Sequence, residues 1–433
     1  MNRKVRFAPS PTGHLHIGGL RAALFNYYFA KQAGGKFVIR IEDTDHQRNK
    51  EEYTQAILDS FAWCGIASDE AIIYQSKRQA LYEEYIKKLV ASDKAYYEEQ
   101  IDEIGKKSTV LKCRVEKNHS HISFHDIIRG EIAFPIEEFE DFIIARSDGT
   151  PLYNLVVVID DIEMGISHII RGEEHLPNTP KQIMLYKALG AEIPQFAHLP
   201  LILGPDRKKL SKRDAATAVI DYKNEGIYPE ALCMYLLRLG WAHKDQEIFT
   251  LEEIYHYFKL EDIHLAGAIF DYQKLLSVNR HYLKLRSNEE IFQDIKKLFS
   301  ENDEFLFHQE KDIEIIGLYK DRASTLKELA NMYTKIKKEP IFKNEAPKEL
   351  DIFVKVISAL LEKIRENISI KDAIDILEKE TSCTKHIIYT ALRYALLGET
   401  KSPSILKIIS ILGQEETTSR LALFLKSTKI IHN

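Results

Sequence analysis

"APSPTGHLHIGG" (residues 8–19) follows "KVRF" (4–7), the start of a strand expected over 4–9, and precedes "LRAALFNYYFAKQAGG" (20–35), which reads as a helix. Pro9 and Pro11 fix backbone angles and remove two hydrogen-bond donors, so they end the strand and stiffen the turn. Gly13, Gly18 and Gly19 let the backbone approach another group closely. From about Gly18 to Ala33 the apolar residues Leu20, Leu24 and Tyr27/Tyr28 recur at helical spacing, and Gly34 and Gly35 suit a helix end. "KFVIRIEDTD" (36–45) then alternates Phe37, Ile39 and Ile41 as a strand does. The unit is β-α-β, which implies a parallel sheet. A helix start leaves N–H groups open, and phosphate is their usual partner. His14 and His16 add donors at the same point. The turn therefore reads as a polyphosphate cradle, against the plainer alternative of a glycine-rich turn with two surface histidines.

The 433 residues are 45% hydrophobic and 29% charged, long enough for two to four domains at about 150 residues each. There is no basic-then-apolar leader and no apolar run that would span a membrane, so the expected setting is cytoplasmic, with no membrane partner. Cys64, Cys113, Cys233 and Cys383 lie far apart in sequence, which suggests neither a disulfide framework nor a cysteine-rich zinc site. The net charge of −5 argues mildly against nucleic acid, but phosphates are met by patches rather than by sums. "RKKLSKR" (207–213) holds five cations and no acid, and "KIKKEPIFK" (335–343) is also basic.

Residues 76–92 read as a helix. Between about 95 and 172, "EIAFPI", "FIIAR", "YNLVVVID" and "HIIRGEE" read as strands. "PNTPKQIMLYKALG" (177–190) predicts a helix with Thr179 as N-cap, Pro180 at the first helical position and Gly190 at its end. "HLPLILG" (198–204) reads as one short buried strand that leads into the basic loop. The sheet is thus interrupted by an insertion and resumed. Beyond about 245 no convincing strand is visible. "DIFVKVISALLEKI" puts Ile352, Phe353, Val356, Ile357, Leu360, Leu361 and Ile364 on one helical face. "SPSILKIISILG" predicts a helix with Ser402 as N-cap, Pro403 at N1 and Gly413 at its end. The C-terminal third is all helical.

"HIGG" after the first strand and "KLSKR" (209–213) after the last resemble the paired signatures of class I aminoacyl-tRNA synthetases, HIGH and KMSKS in their common forms. Together with "RFAPSPTGHLHIGG", "RIEDTD", "SDGTPLYNL" and "IIRGEEHLPNTP", they resemble the pattern of bacterial glutamyl-tRNA synthetases, densely over residues 3 to about 245 and more loosely beyond. The resemblance implies an α/β fold. A Rossmann-like parallel-sheet catalytic domain is interrupted by an inserted α+β module and followed by an all-α anticodon-binding region. The expected boundaries are 1–77 and 186–240 for the two catalytic halves, the second with the KLSKR loop, and 78–185 for the acceptor-stem-binding (connective peptide) module. A helical stem-contact region at 241–310 and an anticodon-binding domain at 311–433 complete the chain.

The implied activity is ATP-dependent formation of glutamyl-adenylate, then transfer to the 2′-hydroxyl of the terminal adenosine of tRNA(Glu), with tRNA(Gln) left open as a second substrate. Activation builds negative charge on a five-coordinate phosphorus, so it needs fixed cations and positioning rather than a protein nucleophile. By resemblance His16, Lys209 and Lys212 are the catalytic residues. ATP would be bound by Gly13, His14, His16, Gly18, Gly19, Lys209, Ser211 and Lys212, with Mg²⁺. Arg6 and Arg171 match positions that grip the amino acid, and an arginine fork is the natural mate of a carboxylate. Glu42 would oppose the ammonium, with Ser10 and Tyr153 adding neutral hydrogen bonds. Glu42, Asp43 and Asp45 could instead form a metal cluster, and Asp160 and Asp161 read as a turn signal outside the site.

Many members carry CxC after "AYY"; here "AYYEEQ" (95–100) places Glu98 and Gln100 there, which cannot readily replace thiolates, so no zinc is expected. His119, His121 and His125 read as surface histidines rather than metal ligands. Members often read "HPLRVALTG" where the chain meets the anticodon. This chain has "YTALRYALLGE" (389–399), keeping Arg393 and Gly398 but with Ala391 and Leu397 for proline and threonine. Those two residues either pack the helical domain or alter anticodon preference. A glutaminyl-tRNA synthetase is disfavoured by the form of the first signature and the helical C-terminus. The latter also disfavours the truncated relative that glutamylates a tRNA base. The extra domains and "KLSKR" speak against a small nucleotidyltransferase, and intact Arg6, His16, Arg171 and Lys212 against a non-catalytic tRNA binder. A monomer is expected.

Overall fold

The computed structural model describes residues 3–45, 48–101, 107–210, 218–299, 309–342, 347–381 and 383–431. The chain divides into two compact units, Met1–Lys223 with Pro229–Val278, and Asn224–Tyr228 with Asn279–Asn433.

The first unit opens as the sequence predicts. Strand β1 (Lys4–Phe7) is followed by helix α1 (Ile17–Gln32) and strand β2 (Lys36–Ile41), and β1 and β2 pair in parallel from Lys4↔Lys36 to Phe7↔Ile39. The prolines end β1, and Gly34, at φ +62°, lies just past the end of α1. Helix α2 (Glu51–Trp63) leads to the short strand β3 (Ile73–Tyr74), and helix α3 (Gln79–Ala91) follows. Next come β4 (Ala95–Ile101), β5 (Lys107–Cys113), β6 (His121–Asp126), β7 (Gly130–Pro135) and β8 (Phe142–Ala145). Helix α4 (Tyr153–Glu163), strand β9 (His168–Gly172), helix α5 (Thr179–Ala188) and strand β10 (Gln195–Leu199) return the chain to the first sheet.

That sheet has seven strands in the order β3-β2-β1-β9-β10-β6-β7, while β4, β5 and β8 form a separate antiparallel sheet. The sheet therefore resumes at β9, inside the segment 78–185, and the hairpin β6–β7 from the middle of that segment extends it beyond β10. Asn26, buried in α1, donates to the carbonyl of Ile170 at 2.9 Å and ties the helix to β9.

Four sequence expectations change here. "YNLVVVID" is helix α4, not a strand. Leu155 to Ile159 are all buried, so no polar face marks the period, and a short apolar run reads the same in either structure. "HLPLILG" is two strands, since Pro200 follows β10 without an N–H to donate and Ile202–Leu203 forms β11. Strand β11 pairs with β12 (Ala268–Ile269), a two-residue strand beyond 245. Helix α5 starts at Thr179, whose hydroxyl is engaged by Arg171, and Asn178 holds the N-cap position without a side-chain cap bond. Cys64 and Cys233, distant in sequence, are both free thiols, and Cys64 together with burial raises the Cys233 thiol above its usual range.

Helices α6 (Val219–Asn224), α7 (Pro229–Arg238), α8 (Leu251–Tyr257) and α9 (Tyr272–Leu285) follow β11 in the chain, α8 preceding β12. The second unit continues with α10 (Asn288–Leu298), α11 (Gln309–Tyr319), α12 (Leu326–Lys337), α13 (Leu350–Arg365), α14 (Ile370–Glu380), α15 (Lys385–Leu397) and α16 (Ile405–Ile431). The apolar face of α13 is buried as predicted from Phe353 to Ile364, but Ile352 is 40% exposed. Helix α16 begins after Ser404 rather than after Ser402, whose hydroxyl turns to the Pro403 carbonyl. Gly413 does end its first stretch, with φ +79° and ψ 169° outside helical space, and a second stretch continues beyond it. Ala391 and Leu397 are both buried in this helical core. No helix among the described residues is long and apolar enough to cross a membrane.

Candidate active site

At the C-terminal ends of β1, β2, β9 and β10 lies a cavity of about 420 Å³. Arg6, Ser10, His16, Gly18, Gly19, Glu42, Tyr153, Arg171 and Lys209 all line it. Gly13 and His14 do not; His14 is exposed, with its ring edge-on to Tyr53 at 5.5 Å. Ser211 and Lys212 lie outside the described residues.

His16 is the N-cap of α1, and its Nδ1 accepts the Gly18 N–H at 3.0 Å. An accepting Nδ1 leaves the proton of the neutral ring on Nε2. A Cβ at position 18 would stand 3.3 Å from His16 Nδ1, so glycine keeps this cap free of pressure. On the other side of the basic loop, Lys209 bridges to Leu203, and the Leu210 N–H donates to Ile202 O at 3.1 Å. At the far end, Ala218 bridges to His16 and the Val219 N–H donates to Leu15 O at 2.9 Å. Both ends of segment 211–217 thus border the cavity.

Arg6 does not reach into the cavity as a bare cation. Its Nε and Nη2 bond the two oxygens of Asp161 at 3.0 and 3.2 Å, and Arg40 Nη1 bonds the same carboxylate at 2.6 Å. Arg40 also reaches Glu42 at 3.3 Å. Asp160 accepts from Gln75, Arg78 and Tyr82. The reading of Asp160 and Asp161 as a turn signal is therefore corrected, since both are buried in α4 and hold arginines. Burial works to raise the Asp161 carboxyl, but Arg6 and Arg40 outweigh it and hold the group below the usual carboxylate range. Burial raises Glu42 above that range, with Arg40 and Arg6 opposing.

We expect Asp161→Asn to cost about 3–5 kcal/mol of stability at neutral pH, because it strips buried Arg6 of its counter-charge and removes one of those that neutralise Arg40. Denaturant unfolding would measure it, and a loss below about 1 kcal/mol would contradict the assignment. Because the folded carboxyl is depressed, its contribution is present above the unfolded value near about 3.9 and is lost as pH falls through the lower folded value.

Among the described residues Arg171 bonds to no carboxylate. Its Nε meets His198 Nε2 at 3.2 Å, its Nη2 donates to Thr179 Oγ1 at 2.8 Å, and its buried Nη1 has no partner among the described residues. Burial holds the group below the usual guanidinium range. His175, stacked on Tyr153 at 6.3 Å, is pushed down to about 4 by burial and by Arg171.

Sequence reasoning missed Arg40, Arg21 and His175. Arg21 lines the cavity from α1, donates to the carbonyls of Leu239 and Pro200, and is lowered to about 10 by burial. A cation inside an otherwise apolar helical stretch was the available signal. The metal-cluster alternative is not supported by the geometry, since Asp43 accepts from Ser76, Asp45 pairs with Arg48 and Glu42 with Arg40. Glu98 pairs with Lys112 in the antiparallel sheet, and exposed His125 of β6 pairs with Glu131 of β7 in the seven-stranded sheet.

The family model described as tRNA synthetases class I (E and Q), catalytic domain, matches residues 3–108 and 98–277, and an anticodon binding domain model matches 282–425. A glutamate–tRNA ligase 2 of a Nitratiruptor species is 42% identical over 97% of this chain and 98% of its own. A glutamate–tRNA ligase 1 of Helicobacter pylori is 41% identical over 98% of this chain and 99% of its own. The crystal structure of a glutamate tRNA ligase from Elizabethkingia meningosepticum in complex with its amino acid superposes with a TM-score of 0.84 and 31% identity, covering 99% of this chain and 100% of that one. By catalytic domain, anticodon domain and full-length likeness, the chain belongs to the class I tRNA synthetases, among the glutamate–tRNA ligases.

Proposed function

We propose that the cavity joins L-glutamate to ATP and passes the glutamyl group to tRNA(Glu). The observation that carries this is Arg171, a buried guanidinium with an unpartnered Nη1 and no protein carboxylate. A buried cation lacking its anion is costly, and a substrate carboxylate relieves that cost. Arg6, already seated on Asp161, offers its remaining nitrogen beside it, Glu42 faces the ammonium, and Ser10 and Tyr153 supply neutral hydrogen bonds.

In the first step an oxygen of the glutamate α-carboxylate attacks the α-phosphorus and pyrophosphate departs with the P–O electron pair. His16, with its proton on Nε2, and the α1 start with Gly18 and Gly19 would meet the phosphates; Lys209, Ser211 and Lys212 would hold the leaving pyrophosphate. Mg²⁺ would enter with ATP; the described residues contain no group of three or more His, Cys, Asp or Glu able to hold it. In the second step the 2′-hydroxyl attacks the mixed anhydride and AMP leaves. Residues 1–77 and 186–240 would form the catalytic halves, with β9 added to them. Residues 78–185 would meet the acceptor stem, 241–310 the stem and 311–433 the anticodon, in a cytoplasmic monomer.

Glutamate-dependent exchange of labelled pyrophosphate into ATP, run with and without tRNA(Glu), tests the reading; no exchange in either condition would overturn it. Purified protein is expected to contain no stoichiometric zinc by elemental analysis, and one zinc per chain would contradict this. For tRNA choice, the burial of Ala391 and Leu397 favours packing over base reading, and Arg393, whose buried Nε has no partner among the described residues, is the better candidate for an RNA contact. The expected result is a kcat/KM for tRNA(Glu) exceeding that for tRNA(Gln) by about a thousandfold or more at one fixed salt concentration. Comparable values would establish both as substrates.

A further inference from the structure

Behind Arg171 runs a chain of buried polar groups that the reaction above does not use. Arg171 Nε meets His198 Nε2 at 3.2 Å, Thr179 Oγ1 lies 3.1 Å from the same nitrogen, and His198 Nδ1 stands 2.6 Å from Asp126 Oδ2. Asp126 ends β6, His198 is in β10 and Arg171 is in β9, with His198 paired directly to Arg171 in the β9–β10 register. The chain crosses three neighbouring strands, from the inserted hairpin to the cavity wall.

The chemistry fixes who donates. A guanidinium is always a donor, so His198 Nε2 must present its lone pair. The neutral ring then carries its proton on Nδ1 and gives it to Asp126. Asp126 is held as an anion. Burial alone would raise it, but His198 and the N–H groups of Arg129 and His198 outweigh burial and keep it below the usual range. A second proton on His198 would set an N–H against the N–H of Arg171 and place two cations side by side. Burial already lowers the ring's affinity for that proton, with Arg171 and Arg129 adding to it and Asp126 opposing; His175 faces the same region.

We propose that Asp126 and His198 are positioning residues for amino-acid recognition: Asp126 fixes the tautomer of His198, and the His198 lone pair holds the Arg171 fork so that Nη1 is left for the substrate carboxylate. This rests on the reading that Arg171 receives that carboxylate. Glutamate binding should then weaken as pH falls toward the protonation of His198, while ATP binding follows a separate course.

The test is steady-state aminoacylation by the full-length enzyme with tRNA(Glu), separating KM from kcat for each substrate. Arg171→Lys first checks the underlying reading, and an unchanged glutamate KM in that variant would sink the reading itself. Asp126→Asn is expected to raise the glutamate KM about tenfold, with kcat falling less than about threefold and the ATP KM unmoved. His198→Gln keeps an acceptor but takes up no proton. It should raise the glutamate KM severalfold and abolish the rise expected of wild type as pH falls below about 6.5. The proposal is overturned if Asp126→Asn shifts both KM values alike or leaves the glutamate KM within about twofold. It is equally overturned if His198→Gln keeps the wild-type pH dependence. Should Asp126→Asn fail to fold by circular dichroism, the His198→Gln pH series decides alone.

Discussion

Glutamine is expected to be activated about 10⁴-fold less efficiently than glutamate, measured as kcat/KM in pyrophosphate exchange. The two amino acids nearly match in shape, so size gives little discrimination. Charge must provide it. Asp161 already satisfies two nitrogens of Arg6, and Arg40 shares the same carboxylate. Among the described residues Arg171 is hydrogen-bonded to the neutral Thr179 and His198 and to no carboxylate. Glutamate supplies the missing anion, whereas the amide of glutamine leaves a desolvated guanidinium unneutralised. Sites built around a polar partner reject analogues that lack it far better than apolar pockets do. Equal use of the two amino acids would refute the role given to Arg171.

Lys212→Ala is expected to slow adenylate formation by about 10²–10³ while leaving the glutamate KM little changed. Charge accumulates on the phosphates as the bond to pyrophosphate breaks, and a lysine there acts in the transition state more than in the ground state. Single-turnover formation of adenylate would read the effect directly. A variant with near-normal kcat would remove Lys212 from the chemistry.

Much of this arrangement was legible in the sequence where two periods were clean. The β1-α1-β2 unit shows alternation, helical spacing and glycine ends in turn, and the amino-acid-site residues inferred by resemblance, Arg6, Ser10, Glu42, Tyr153 and Arg171, all line the cavity. Helix α4 was not legible, because burial on all sides erases the polar stripe by which a helix is recognised. Asp160 and Asp161 were misread for a related reason. Acids after an apolar run ordinarily mark exposure, and only their partners on β1, β2 and the turn before α3 reveal them as buried. The Asp126–His198–Arg171 chain has no local signature at all. It exists because β6 joins the sheet beside β10, a long-range pairing that spacing along the chain does not express.

The two anchors of the basic loop have a consequence for rate. Leu210 is held to Ile202 and Ala218 to His16, so the residues flanking 211–217 are fixed at both ends. Consecutive Cα atoms are about 3.8 Å apart, so the Cα of Lys212 can never stray more than about 8 Å from that of Leu210 on the cavity wall. On the role proposed for Lys212, this covalent tether delivers the amine at an effective concentration of about 0.1 M or more, already positioned rather than arriving by diffusion. Added alkylamines should restore a Lys212→Ala enzyme only weakly even at high concentration. Deleting residues from the loop should slow adenylate formation even with every charged group retained.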